Sequence, residues 1–396
     1  MPCGFESRPR YHEYMSRYLR RLFRKINRLF HTHEPLISVS ISRERLLHNL
    51  HTYQKAYPGL RIAPMLKSNA YGHGLCVVAE LLDHEDIAFF AVDSFFEARR
   101  LREGGIRTKI VVMGYVRPEQ IVGSRLRAVE YAITDLEQLR AVSRGAQRPV
   151  RLHLKLDTGM HRNGLLEAEL DEAIELVREN ANLVITGVCS HLADADNPDP
   201  TFSLSQLSVW ERSIAKLDEA FPSIEYRHTS ATKGARFADT APMNAARIGM
   251  GLFGFDTSPD ATLSLQPVLS MRSSITSIRS IPERASVGYG ATFMAARASR
   301  IATVPVGYFE GIDRGLSNKG VFSVRGRMCP IAGRVSMNMS SIDITDVPDA
   351  ARGDVVTAIS NDAADPHSME SMARLLDTTP YVLFAHLPEH LSRIVE

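Results

Sequence analysis

Residues 63–74 read APMLKSNAYGHG. A short apolar run ends there in a lysine and is followed at once by Asn, Gly and His, the pattern of a strand that delivers Lys67 to a strand-to-helix turn. A lysine in that place is costly unless it is used. At the mouth of a fold its amine, partly stripped of water, is available as a nucleophile toward a carbonyl. Tyr71 follows four residues on, across a turn of small residues that lets backbone approach a ligand closely. Taken alone, a strand-end lysine is an exposed, solvated side chain, and only its surroundings can give it chemistry.

Those surroundings are rhythmic. Apolar, strand-like runs at 61–67, 87–92, 109–114, 128–133, 150–156, 184–190, 225–230 and 246–253 are separated mostly by stretches of helical periodicity, such as Leu165 to Arg178 and Leu204 to Phe221. Eight strands alternating with helices over about 200 residues predict an α/β fold, a (β/α)8 TIM-type barrel. Reacting groups in that architecture sit at the carboxyl ends of strands, where Lys67, Asp157, His191, His228 and Arg247 fall. Upstream, Leu36 to Ile41 reads as a strand and Ser42 as the N-cap of the next helix. Beyond residue 258 the helical rhythm stops. Short β-rich runs at Val268 to Ile281, Ser299 to Val306, Val321 to Val324 and Met328 to Ile331 predict a C-terminal, mainly antiparallel β domain, with a helix at Met369 to Leu376. The expected division is a basic extension over 1–33, a barrel over 34–257 whose first strand joins the β domain, and the β domain over 258–396.

Length and composition allow such a pair of domains, since the 396 residues are 44% hydrophobic. The net charge of +2 hides an asymmetry: residues 1–33 hold eight Arg/Lys against two acids, and the remainder holds 39 basic against 43 acidic residues. A mildly acidic body makes no case for nucleic-acid binding. The four cysteines, Cys3, Cys76, Cys189 and Cys329, lie far apart with no Cys-x-x-Cys pair, so neither a zinc site nor a disulfide framework is expected. No metal site is expected at all, and a reducing cytoplasm is the expected compartment. The chain has no apolar run of the length that spans a membrane, and its N-terminus lacks the apolar core of a secretory signal.

Between Tyr14 and Phe30, apolar residues at Met15, Tyr18, Leu19, Leu22, Phe23, Ile26, Leu29 and Phe30 share one helical face, and Arg17, Arg20, Arg21, Arg24, Lys25 and Arg28 take the rest. Such a helix could lie on an anionic membrane surface, bind a partner, serve as a cleaved targeting segment, or pack on its own protein.

The 63–74 segment closely resembles the pyridoxal-phosphate-binding segment of alanine racemases, and further matches follow in order from residue 36 to residue 396. LKLDTGMHR at 154–162 resembles the family's fifth barrel strand and loop, SHLA at 190–193 a histidine motif, and RIGMGLFG at 247–254 the eighth strand. SVGYGATF at 286–293, VGYFEGIDR at 306–314, GRVSMNM at 333–339 and TPY at 379–381 resemble its later loops. The resemblance implies that Lys67 carries pyridoxal 5'-phosphate covalently, and that Tyr71, His191, Thr232, Arg247, Gly249, Met250 and Tyr381 line its site. Arg162 and the Met337 backbone N–H would bind the substrate carboxylate. The position of Lys155 is often carbamylated in the family. An arginine facing the pyridine nitrogen donates a hydrogen bond but does not give up its proton, so the nitrogen stays unprotonated and side reactions are limited.

Racemisation removes an α-proton from one face and returns one to the other, and Lys67 serves only one side. The resemblance implies that Tyr289 serves the other, with His191 and Arg247 behind it, and that this tyrosine comes from a second subunit. A homodimer with shared sites follows, acting on a small amino acid. The function expected on this basis is pyridoxal-phosphate-dependent interconversion of L- and D-alanine, supplying D-alanine for peptidoglycan. A serine or broad-specificity racemase and a non-catalytic pyridoxal-phosphate carrier are the alternatives. A barrel-plus-β-domain decarboxylase is disfavoured because it would place an acid where Arg247 stands.

The chain departs from the family at three points. The usual Asn-Ser after the seventh-strand histidine is replaced within HTSAT at 228–232; Thr232 keeps a hydroxyl, whereas Ala231 offers no amide. Asn338 and Glu310 each stand where Asp is usual. These departures bear on substrate choice.

Overall fold

The computed structural model describes residues 35–222, 224–256 and 262–396. The basic amphipathic helix expected within 1–33 lies outside the described residues. Ile37–Glu396 forms one compact unit, so barrel and β region pack together rather than as detached bodies.

The first strand, β1 (Ser38–Ile41), leads into a helix over Arg43–Ala56, whose N-cap Ser42 accepts the Arg45 N–H at 3.3 Å. Eight short parallel strands follow: β2 (Arg61–Pro64), β3 (Phe90–Val92), β4 (Ile110–Val112), β5 (Val129–Ile133), β6 (Val150–Lys155), β7 (Leu183–Cys189), β8 (Tyr226–His228) and β9 (Ala245–Ile248). Strands β3 to β8 pair consecutively and β2 pairs with β9. Bridges Met65↔Ala91 and Ala231↔Arg247 close the ring, giving the (β/α)8 barrel expected from the apolar runs. Strands β3 and β4 are buried along their whole length, which is why they read as unbroken apolar runs without alternation. The helices outside show the opposite pattern. In Leu170–Glu179, Leu170, Ala173, Ile174 and Val177 form one buried stripe. That helix starts later than its apolar pattern suggests, because Leu165 is already committed to a bridge with Leu156.

The remaining strands are β10 (Leu269–Ser274), β11 (Ser277–Ile281), β12 (Ser286–Val287), β13 (Phe293–Met294), β14 (Ser299–Val304), β15 (Val321–Val324), β16 (Arg327–Pro330), β17 (Ser340–Asp343), β18 (Val355–Ile359) and β19 (Ser392–Val395). They build a six-stranded sheet of order β16-β15-β18-β10-β1-β19 and a three-stranded sheet β11-β14-β17. Strand β1 lies antiparallel to β10 and parallel to β19, so the chain's first strand completes its last sheet. The continuous run expected over 268–281 is two strands in different sheets. The chain crosses between them at Ile275, bonded to the Asp354 carbonyl, and Thr276, bonded to that of Thr303. Strands β12 and β13 form a separate hairpin with Tyr289 at its tip, between Gly288 and Gly290 at φ 76° and 72°.

Candidate active site

Lys67 follows β2 by three residues, and the backbone after it turns the uncommon way. Ser68, Asn69, Ala70 and Tyr71 have φ of 55°, 56°, 51° and 50°, a left-handed turn in four successive residues that carry a Cβ. The expected helix begins only at Leu75. Left-handed backbone costs about 1–2 kcal/mol per residue, so the surroundings must impose it. The Ser68 N–H donates to Glu97 Oε1 at 2.7 Å, and the Leu75 N–H to Asn69 Oδ1 at 2.8 Å. The His73 ring, fully buried, stacks on Phe253 at 4.0 Å and holds the Ala70 and Tyr71 carbonyls at 3.1 and 3.0 Å. Glu97 also closes the capping box of the helix over Phe95–Gly104, tying the turn to a neighbouring strand end.

A cavity of about 370 Å³ opens at the carboxyl ends of the barrel strands. It brings together Lys67, Tyr71, Arg162, His191, Thr232, Arg247, Gly249, Met250 and Tyr381. Arg247 is the most firmly held of these. Its Nη1 donates to His228 Nδ1 at 2.8 Å and to the His228 carbonyl, and Nη2 donates to the Ser190 and Thr229 carbonyls at 2.7 and 3.2 Å. His191 Nδ1 lies 3.4 Å from Nη2. Burial, then the charges of Arg247, Arg162, Lys155 and Lys67, pushes His191 down to about 3, so its ring is neutral. At one end of the cavity the Thr232 hydroxyl accepts the N–H groups of Gly249 and Gly251 at 3.1 and 3.4 Å. A Cβ on Gly249 would lie 2.7 Å from Tyr71 Oη, which explains the glycine there. Tyr71 meets Tyr381 edge-on at 6.3 Å, and burial raises both hydroxyls, Tyr381 to about 12.

Lys155 ends β6 inside the same cavity. Burial first, and then the charges of Arg162 and Arg247, hold its ammonium below the ordinary lysine value, although Cys189 partly offsets this. Lys233 and Asp196 also line the cavity and pair with each other at 2.5 Å, a contact that no sequence motif announced. Two strand-end residues do other work. Asp157 Oδ1 accepts the N–H groups of Gly159 and His161, shaping the loop that carries Arg162. His228 is fully buried inside the barrel.

Tyr289 and Met337 are not brought to this cavity by their own chain. They line a second, more open one of about 610 Å³ with Tyr308, Arg314 and His386, and they are 72% and 55% exposed. Sequence reasoning also passed over Glu130 and His153, both buried in the barrel interior. Their signal was a polar residue inside an otherwise apolar strand, in VEYAI and VRLHLK.

Comparison with known proteins agrees with this geometry. The family model for the alanine racemase N-terminal domain matches residues 41–257, and that for the C-terminal domain matches 268–395. The alanine racemase of Sorangium cellulosum is 36% identical over 326 residues, 80% of this chain and 86% of that protein. That of Syntrophobacter fumaroxidans is 34% identical over 359 residues, 88% of this chain and 94% of that one. Among solved structures, the alanine racemase of Clostridium difficile superposes with a TM-score of 0.85 at 25% identity, covering 92% of this chain and 97% of that one. The biosynthetic alanine racemase of Pseudomonas aeruginosa gives 0.78 at 29% identity, covering 92% and 100%. Fold and relatives together define the class, an isomerase built from a (β/α)8 barrel and a β domain. Within that class, the chain belongs to the alanine racemase family.

Proposed function

We propose that this chain interconverts L- and D-alanine with pyridoxal 5'-phosphate, in the cytoplasm, and so supplies D-alanine for peptidoglycan. The observation that carries this reading is the convergence of nine side chains and backbone groups, from Lys67 to Tyr381, on one cavity at the strand ends. Its donor set suits the cofactor. The Thr232 hydroxyl and the Met250 backbone N–H, beside the Tyr71 and Tyr381 hydroxyls, offer a cradle for a phosphate, and the absent Cβ of Gly249 leaves room for Tyr71 Oη to join it. Lys67 would hold the aldehyde carbon, and Arg247 would donate to the ring nitrogen. The chemistry supplied by the cofactor when bound is an electron sink that makes the α-proton of an attached amino acid acidic.

The residues of the chain do the rest. Arg162 binds the substrate carboxylate with its planar fork, helped by the Met337 N–H of a second copy. Lys67 Nζ takes or returns the α-proton on one face, and Tyr289 Oη of a second copy does so on the other. Neutral His191, hydrogen-bonded to Arg247, stands ready to accept or pass a proton on the tyrosine side. The exposure of Tyr289 and Met337 supports a homodimer in which each chain completes the other's site.

The test is α-proton exchange of L-alanine in D2O by the cofactor-loaded protein, followed by chiral analysis, for wild type and Tyr289→Phe. Deuterated D-alanine from the wild type with a steep loss in the variant is the expected result. A wild type that takes up the cofactor yet neither exchanges nor inverts alanine overturns the reading.

A further inference from the structure

Four polar side chains form an unbroken file through the centre of the barrel. Glu130 on β5, His153 on β6, His228 on β8 and Arg247 on β9 all face inward, and each is at most 4% exposed. His153 Nε2 lies 2.9 Å from Glu130 Oε2, His153 Nδ1 lies 2.7 Å from His228 Nε2, and His228 Nδ1 lies 2.8 Å from Arg247 Nη1. The far end is anchored as well. Thr186 Oγ1 donates to Glu130 Oε2 at 2.8 Å, and Lys109 Nζ stands 3.5 Å from Glu130 Oε1 while pairing with Glu225 at the surface.

The ends of this file dictate the middle. A guanidinium can only donate, so His228 Nδ1 must accept, and a neutral His228 then carries its proton on Nε2. That proton is donated to His153 Nδ1, which forces the second ring's proton onto Nε2 and toward the Glu130 carboxylate. One polarity satisfies all three bonds, and a further proton on either ring would break one of them. Burial, then the charge of Arg247, holds His228 well below its ordinary value, while the His153 hydrogen bond and Lys109 outweigh burial to hold Glu130 below its own. Room for the file is built in: a Cβ on Gly187 would lie 2.4 Å from His153 Nδ1.

We infer that Glu130 and His153, at the far side of the barrel from the cavity, are positioning residues for Arg247. They deliver a buried countercharge to it through two imidazoles of fixed tautomer. This rests on the reading of Arg247 as the group that meets the cofactor's ring nitrogen. Without that countercharge the guanidinium keeps its bonds to the His228, Ser190 and Thr229 carbonyls, but its buried charge is less compensated along the file and its donation to the ring changes.

Neutron diffraction from the deuterium-exchanged wild type tests the file without any cofactor argument. Deuterons on Nε2 of both His153 and His228 are expected, and a deuteron on Nδ1 of either ring overturns the assignment. Glu130→Gln, which keeps an acceptor oxygen and removes the charge, tests the role. With an unchanged melting temperature, it is expected to lower kcat about tenfold, to leave KM within about twofold, and to displace the absorption maximum of the bound cofactor. Wild-type kcat and spectrum would reduce the file to barrel filling. Gly187→Ala, which presses on the His153 ring and alters no charge, is expected to shift the spectrum in the same sense, and an unshifted spectrum counts against the role. A wild type that binds no pyridoxal phosphate would strike the cofactor reading, and the deuteron positions would still decide the file.

Discussion

Asn338 donates its side-chain amide to Glu310 Oε1 at 2.8 Å, and the other oxygen of the buried Glu310 accepts the Gly307 N–H at 2.8 Å. The two positions at which this chain replaces the family's usual aspartates are therefore partners. An amide that donates suits a carboxylate long enough to reach it. Asn338→Asp places two carboxylates at hydrogen-bond distance, so it should cost about 1 kcal/mol near neutrality. The cost should shrink as acid protonates one of the pair. Thermal melts of wild type and variant at about pH 7.5 and about pH 5 check both statements.

Gly249→Ala should weaken cofactor retention before it affects folding, because the new methyl meets Tyr71 Oη at 2.7 Å and displaces one hydroxyl of the cradle proposed for the phosphate. Cofactor absorbance after dialysis should fall by about tenfold relative to wild type, with little change in the melting temperature.

Mixing variants tests the shared site. Lys67→Ala and Tyr289→Phe should each be nearly inactive alone. Co-refolded, they should regain activity, because one of the two sites in a mixed dimer then has both an intact Lys67 and an intact Tyr289. A site made from one chain predicts no recovery, so the assay separates the two arrangements.

The Lys155 amine, lowered by burial and by Arg162 and Arg247, should add carbon dioxide to give a carbamate whose negative charge faces both arginines. Native mass spectrometry in bicarbonate should show the added mass in wild type but not in Lys155→Arg. The adduct should be lost on acidification, because only the unprotonated amine reacts.

Acid should destabilise the fold through its buried histidines. His73 and His191 are pushed down to about 3, both mainly by burial, and His228 is also lowered. The unfolded chain binds protons with ordinary histidine affinity, so stability is full above about pH 6.5 and falls as pH drops toward 3, by up to about 1.4 kcal/mol per pH unit for each ring. His73 Nε2 has no hydrogen-bond partner among the described residues, so a proton there finds no acceptor. Urea midpoints at about pH 7.5 and about pH 5 should differ in that sense.

The barrel was legible because its strands are buried on both faces and its helices on one, so the two periods alternate openly along the chain. Strand β1 was legible too, and its place beside β10 is a matter of long-range pairing that local pattern only hinted at. The β region was harder. The 268–281 run looks continuous, since the switch at Ile275 and Thr276 is made by backbone bonds to distant carbonyls, which no side-chain pattern records. In the site, Lys67, Arg247 and their neighbours stood in motifs at strand ends. Glu130 and His153 stood in no motif, because what matters about them is the inward face they share with residues from other strands. The handedness of the backbone after Lys67 was likewise invisible, since of Ser, Asn, Ala and Tyr only Asn favours it and one such residue does not announce a run of four.

That backbone also dates the site's appearance during folding. An unfinished chain has no Glu97 and Phe253 in place to hold residues 68–71 in the left-handed region, so it carries Lys67 on a segment without that turn. Only the closed barrel presents Lys67 on the turn described above. On the function proposed above, uptake of pyridoxal phosphate would then report a finished fold, since the backbone that presents Lys67 exists only there.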